Sequence, residues 1–284
     1  MFQKTFILFL IFFLQGHSQK IEKKVGAYQI TKESFRVENR KKIAKQVFYF
    51  NESGKVLEKI KFGRHHYNKL NVIGQIEQFF YKDDELQLSK KYISGCKSCK
   101  FYLYYSKYEY DGGKLISENV FYGQNDSLFT STKYVYKPNV KEIHFNSSVC
   151  YLNKYDDENR IIEQNQVYEN KIRWKREFSY SETYRVDKFQ TYYNDGKDYS
   201  EIEIISYNSD REIVSKERIR EKSKTKLFYF YDKKGIISRI EEYESFGGSD
   251  DKLIYSTVFK VNRKVKHIDK SVVAKLNSVL LESD

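Results

Sequence analysis

The sequence predicts an all-β fold: an antiparallel meander of hairpin repeats forming an extended or curled sheet, finished by a short C-terminal helix. Three observations carry that expectation. Apolar and polar residues alternate in short runs. In Val56-Leu57-Glu58-Lys59-Ile60-Lys61-Phe62, residues Val56, Ile60 and Phe62 share a face opposite Lys59 and Lys61. The same alternation expects Tyr102, Tyr104, Tyr108 and Tyr110 on one face. A turn signature recurs, an aromatic followed by Asn or Asp and then Gly or Asn, which is the chemistry of tight hairpins. Finally, the 284 residues include 26 Tyr and 21 Phe but a single Pro, a composition that fills strands and rarely interrupts ladders. With 40% hydrophobic and 32% charged residues, the chain is neither a helical membrane bundle nor a disordered polymer.

The N-terminus reads as an export signal spanning 1–18. Lys4 supplies a basic start, Phe6–Leu14 is an unbroken run of nine apolar residues, and Gly16 and Ser18 are small residues suited to signal peptidase. The run is too short to span a bilayer, which needs about 20 residues. Cleavage after Ser18 leaves 19–284 as one β-repeat domain with a net charge of +11. It also leaves no apolar helix long enough to cross a membrane, and it places the protein in the periplasm, on the cell surface or outside the cell. Residues 19–45, rich in Lys and Arg, form either a lead-in strand or a mobile arm.

Repeats follow over 46–262. The copies are Phe50-Asn51-Glu52-Ser53-Gly54-Lys55-Val56-Leu57, Tyr110-Asp111-Gly112-Gly113-Lys114-Leu115-Ile116, Tyr155-Asp156-Asp157-Glu158-Asn159-Arg160-Ile161-Ile162, Tyr207-Asn208-Ser209-Asp210-Arg211-Glu212-Ile213-Val214 and Tyr231-Asp232-Lys233-Lys234-Gly235-Ile236-Ile237. Weaker copies begin at Tyr81, Tyr136 and Tyr193. The copies at Tyr110, Tyr155 and Tyr231 resemble YD repeats, the hairpin units of RHS-type bacterial surface and toxin-shell proteins. That resemblance implies a non-catalytic β-sheet scaffold. MORN-type repeats have a similar length, but their Gly-Trp or Gly-Tyr signature is missing. Beyond the repeats, 263–284 form a cap: Ile268, Val272, Leu276, Val279 and Leu280 recur at helical spacing, with Asp269 placed to start the helix.

Three cysteines occur, Cys96 and Cys99 in a C-x-x-C and Cys150 alone. In an exported chain the default is a disulfide, with Cys96–Cys99 the short-range pairing, although three pairings remain open. Lys100 stands where haem attachment would need His. The acidic clusters Asp83-Asp84-Glu85 and Asp156-Asp157-Glu158 lack calcium-loop spacing and fall where the repeat turns. His65 and His66, adjacent on a strand, point to opposite faces and hold no metal alone. No nucleophile elbow, zinc, phosphate-loop or dinucleotide motif is present, and no cofactor or specific nucleic-acid motif is indicated.

One basic pattern stands out. Lys216, Arg218, Arg220, Lys222, Lys224 and Lys226 fall on even positions and would line one face of a single strand. Such a ladder, with Lys222, Lys224 and Lys226 at its end, suits contact with a polyanion. A hairpin turning near Glu221–Lys224 would instead split it, and the repeat length favours the hairpin. Two functions follow: a non-catalytic exported scaffold of the bacterial envelope or extracellular space, binding an envelope protein or anionic polymer, or a secreted polymer-acting hydrolase whose carboxylates the fold assembles. N-terminal sequencing of the native protein should begin at or near Gln19; an intact Met1 in a cytosolic fraction would contradict export.

Overall fold

The computed structural model of the chain describes residues 26–63, 72–93, 101–145, 148–192, 199–261 and 268–282. The segment 1–18, His65, His66, Cys96, Cys99 and the repeat copy at Tyr193 lie outside these residues. The strands run in chain order. First come β1 (Tyr28–Arg36), β2 (Lys41–Phe50), β3 (Val56–Gly63), β4 (Val72–Lys82), β5 (Glu85–Ile93) and β6 (Phe101–Asp111). Next are β7 (Lys114–Tyr122), β8 (Leu128–Lys137), β9 (Val140–Phe145), β10 (Val149–Tyr155), β11 (Ile161–Tyr168) and β12 (Lys171–Tyr180). Then follow β13 (Tyr184–Thr191), β14 (Tyr199–Tyr207), β15 (Ile213–Arg220), β16 (Ser223–Tyr231), β17 (Ile237–Phe246) and β18 (Lys252–Val261), with helix α1 (Lys270–Leu281) last.

Every strand pairs antiparallel with the next, and β18 returns to β1 through Ile30↔Val261, Lys32↔Phe259 and Arg36↔Tyr255. The 18-stranded sheet is therefore a closed barrel without a free edge. Closure corrects two expectations. The sheet is neither extended nor merely curled, and the chain is not an open YD-type array. What produced that resemblance is hairpin turn chemistry, which a closed meander uses equally. The basic segment ahead of the repeats is no mobile arm where it is described: 28–36 form the strand that closes the ring.

The hydrogen-bonded rows are staggered as closure requires. The row Val140↔Lys154↔Glu163↔Glu177↔Lys188↔Ile202↔Ile219↔Lys224↔Ser245 starts at the first residue of β9 and finishes near the last of β17. Strands so staggered coil right-handedly about the barrel axis. The sense of the drift puts this row on the outer surface and the intervening residues on the lumen. Burial agrees along β13 and β14, where Asp187, Thr191, Glu201, Glu203 and Ile205 are buried while Lys188, Gln190 and Ile202 are exposed. Barrel diameter grows with strand number, so eighteen strands enclose more than the side-chain-filled interior of an eight-stranded barrel. Bulges override simple alternation in places. The register shift opposite Lys91/Tyr92 turns Tyr102 outward, where it stacks with Tyr92 and Tyr105 at 5.2 and 5.9 Å, so Tyr102 does not share a face with Tyr104.

Among the described repeats, the turns after Tyr81 and Tyr110 are two-residue turns with both residues at positive φ, Asp83 with Asp84 and Gly112 with Gly113. Those after Phe50, Tyr155, Tyr207 and Tyr231 lie at the same rim and share another geometry. The carboxyl or amide oxygen of the Asx residue accepts two backbone N–H groups: Asp156 from Glu158 and Arg160 (3.0 and 2.8 Å), Asn208 from Asp210 and Glu212 (3.0 and 2.9 Å), Asp232 from Lys234 and Ile236 (2.8 and 3.0 Å). Each turn then needs one residue with positive φ, filled by Gly54 (81°), Asn159 (59°), Arg211 (62°) and Gly235 (77°). Tyrosines that precede turns at this rim, Tyr180 among them, have a second task. Tyr110, Tyr136, Tyr180 and Tyr231 donate their hydroxyls to the carbonyls of Leu86, Leu115, Ile161 and Ile213, tying each turn to the hairpin before it. Burial pushes the Tyr231 phenol up to about 12, so it remains a donor.

The main apolar cluster lies at this same rim. Helix α1 begins as expected: Asp269 caps it, accepting the Ser271 N–H at 2.7 Å. Val273, Leu276 and Leu280 bury against Tyr28, Ile30, Phe48, Phe50, Ile237, Ile240 and Phe259 on the lumen face, so the helix sits inside the barrel mouth. Buried Asn277 fixes its seat, accepting the Ile237 N–H at 3.0 Å and donating to the Gly235 carbonyl at 2.8 Å. Arg211 is the only one of the four positive-φ turn residues above that is neither Gly nor Asn. Arg211→Gly should raise stability by roughly 0.5–1 kcal/mol by removing a Cβ from the left-handed region, read as an increased urea midpoint at unchanged m-value.

Candidate functional site on the lumen wall

The densest chemistry among the described residues lies on the lumen face of β12–β15. Asp187 sits opposite Glu203 in the register, and Phe189 sits opposite Glu201. On the next strand Glu201 faces Arg220, Glu203 faces Arg218, and Ile205 faces Lys216. Asp187 is almost fully buried (1% exposed) and takes a two-pronged contact from Arg185 at 2.8 and 3.0 Å. Glu203 binds Lys216 at 2.9 Å and Arg218 at 3.1 Å, while Glu201 binds Arg218 at 3.1 Å and Arg220 at 2.6 Å. With Arg176 from β12, five cations surround three carboxylates.

The fold thus brings two carboxylates face to face on a concave wall, the arrangement a hydrolase would require. Their environments separate them. Burial raises the Asp187 carboxyl above its ordinary value against the opposing pull of Arg185. Burial acts on Glu203 too, but Lys216 and Arg218 outweigh it and hold Glu203 below its ordinary value. Both carboxylates are ion-paired: Asp187 through both oxygens to Arg185, and Glu203 through one oxygen to Lys216 and Arg218.

The basic ladder is split by the fold. Its turn falls at Glu221 and Lys222, so Lys216, Arg218 and Arg220 face the lumen on β15 while Lys224 and Lys226 face outward on β16. Lys224 pairs with Glu217, and Lys226 with Asp251 at 2.6 Å. Lys222 is exposed in the turn. No single face carries the six cations: the hairpin that the repeat length favours divides them between two faces. The acidic clusters are turns: Asp83 and Asp84 have positive φ, and Asp84 pairs with Lys55 at 2.6 Å. Among the described residues no three His, Cys, Asp or Glu converge on a metal-sized site. No disulfide is present among them either, and Cys150 is a free, half-buried thiol, which corrects the disulfide expectation as far as the described residues reach.

Sequence reasoning missed the lumen cluster because its members lie on four strands and carry no local motif. The one available signal was the row of three carboxylates at alternate positions, Asp187 on β13 and Glu201 and Glu203 on β14, which polar strand-interior residues on an enclosed face would need to neutralise.

The outer wall is charged as well. Lys154, Glu163, Lys175 and Glu177 link three strands at 2.7, 3.1 and 2.7 Å. Lys154 chiefly pulls Glu163 down from 4.5 to about 2. Because that folded value is depressed, the stabilisation is complete above the unfolded value near 4.5 and is lost as pH falls towards 2. Glu163→Gln should therefore cost about 1 kcal/mol at neutral pH and flatten the acid limb between pH 4.5 and 2, as measured by urea unfolding across that range.

No family model matches the chain, and no curated protein sequence matches it. Among solved structures, the chain is similar to a porin-like protein from Bacteroides uniformis ATCC 8492, at 9% identity and a TM-score of 0.44, covering 82% of this chain and 96% of that one. It is also similar to a porin-like protein from Bacteroides vulgatus ATCC 8482, at 12% identity and a TM-score of 0.30, covering 82% and 98%. The closed barrel itself is established by the pairing of this chain's own strands, β18 onto β1 included.

Proposed function

We propose that the chain is an exported, non-catalytic β-barrel of the bacterial envelope that stands in water and binds its partner within the lumen. The observation that carries this reading is charge on both faces of a closed wall. A lipid-spanning barrel presents an outward apolar band about 25 Å tall, and each Lys or Arg at its midplane costs about 2–4 kcal/mol. Here Lys90, Lys107, Lys133, Glu142, Lys154, Glu163, Lys175, Lys188, Glu217 and Lys226 occupy the outward face within ten different strands. The lumen face carries Arg185, Asp187, Glu201, Glu203 and Arg218, so exchanging the faces would not supply the band. No helix among the described residues is long and apolar enough to cross a membrane, which leaves strands aside.

Export is supported by Lys4, Phe6–Leu14, Gly16 and Ser18. The non-catalytic reading is supported by the ion pairing of Asp187 with Arg185 and of Glu203 with Lys216 and Arg218. The chain produced without residues 1–18 should be soluble and monodisperse without detergent, with β-dominated circular dichroism. Solubility only in detergent, with protease protection in lipid vesicles, would replace this reading with a membrane-spanning one. Polysaccharide hydrolysis abolished by Asp187→Asn would restore the hydrolase.

A further inference from the structure

On the lumen face, next to the charged wall, aromatic rings form a continuous row across β9, β10, β12 and β13. Phe145, Tyr151, Trp174 and Phe189 follow one another at centroid distances of 5.1, 5.6 and 5.6 Å. The rings are tilted by 86°, 47° and 50°, so they present successive separate faces and not one coplanar stack. The row lies towards the rim opposite α1, since Phe145 ends β9 and Tyr151 is near the start of β10. Amides and a hydroxyl share its face: Gln166 donates to the Tyr151 hydroxyl at 2.9 Å, Gln164 donates to Asn153 at 3.0 Å, and Thr191 stands opposite Trp174.

At the end of the row the Arg176 guanidinium lies 5.4 Å from the Phe189 ring centre. Its Nε is buried and has no hydrogen-bond partner among the described residues. A buried guanidinium N–H without an acceptor is costly, and a ligand carboxylate or sulfate matches it. The adjoining wall, with four further cations to three carboxylates, has the complementary sign.

We infer that this row and Arg176 form a binding strip for an acidic oligosaccharide. The inference rests on the open-lumen reading above and names its ligand class. Tilted rings spaced along a line suit the apolar faces of successive sugar rings, neighbouring amides suit their hydroxyls, and Arg176 takes the acidic group. Stacked bases would instead call for rings lying parallel to one another.

Trp174 is the sole tryptophan of the chain, so its fluorescence reports on the strip alone. The full chain is titrated with an oligogalacturonate hexamer, a neutral maltohexaose and a single-stranded DNA hexamer. The acidic glycan should change the emission saturably and bind more weakly as salt rises. Arg176→Gln and Phe189→Leu should each weaken it at least tenfold, while Lys188→Gln, on the outer face behind Phe189, should leave it unchanged. No saturable response, equal binding of maltohexaose, tighter binding of DNA, or an unaltered Arg176→Gln titration would each overturn the assignment. Acrylamide quenching of Trp174 separates the two failures. A quenchable Trp174 with no glycan response refutes only the strip, whereas an unquenchable one refutes the open lumen.

Discussion

The pairing of β1 with β18 is the contact on which the remaining architecture depends. It turns a meander of hairpins into a ring and so gives the sheet an inside and an outside. The seam is made of backbone ladder and also of side chains. Glu33 on the outward face of β1 holds Lys42 of β2 and Lys260 of β18 at 2.5 and 3.2 Å, and Ser34 and Thr257 hydrogen bond at 2.8 Å. Glu33 is held below its ordinary value because these two lysines outweigh the cost of its burial. The helix docks beside this seam, so its core and the ring closure support one another.

A closed sheet of this width has no common apolar interior, and the chain solves that problem by polar means. The buried apolar cluster serves only the rim that holds α1. Elsewhere the two faces are stabilised by cross-strand ion pairs, amide contacts and cation–aromatic contacts such as Lys107 over Phe121 at 5.4 Å and Lys141 over Tyr134 at 4.9 Å. Long basic side chains lying across aromatic rings cover apolar surface while keeping their charge in water. The high aromatic and basic content thus fits a wall that carries charge on both faces.

Local features were legible in the sequence because they depend on local chemistry. Asp269 as helix cap, Asn51, Asp156, Asn208 and Asp232 as turn residues, and Leu276 and Leu280 as the apolar stripe of α1 follow from spacing alone. Closure was not legible, since Ile30 and Val261 carry no mark of each other. The face of Tyr102 was misjudged because a single bulged residue inverts the alternation, and sequence does not announce bulges. The turn after Tyr180 was missed because Ser181 replaces the usual Asn or Asp there. The charged lumen wall was invisible for the same reason as the seam, its members meeting only after four strands have found their register.

The seam also imposes an order of assembly. Hairpins joined by tight turns form from neighbours in the chain, whereas Glu33 and Lys260 are 227 residues apart. Contacts of such separation are the slowest to form, because the loop between them must be closed before they gain anything. The ring therefore zips last, and until it does β1 and β18 are two unpaired edges facing water. An edge in that state will accept a strand from another copy as readily as its own. Concentration during refolding, more than any weakness of the finished barrel, is what governs whether this chain ends as a ring or as a linked assembly.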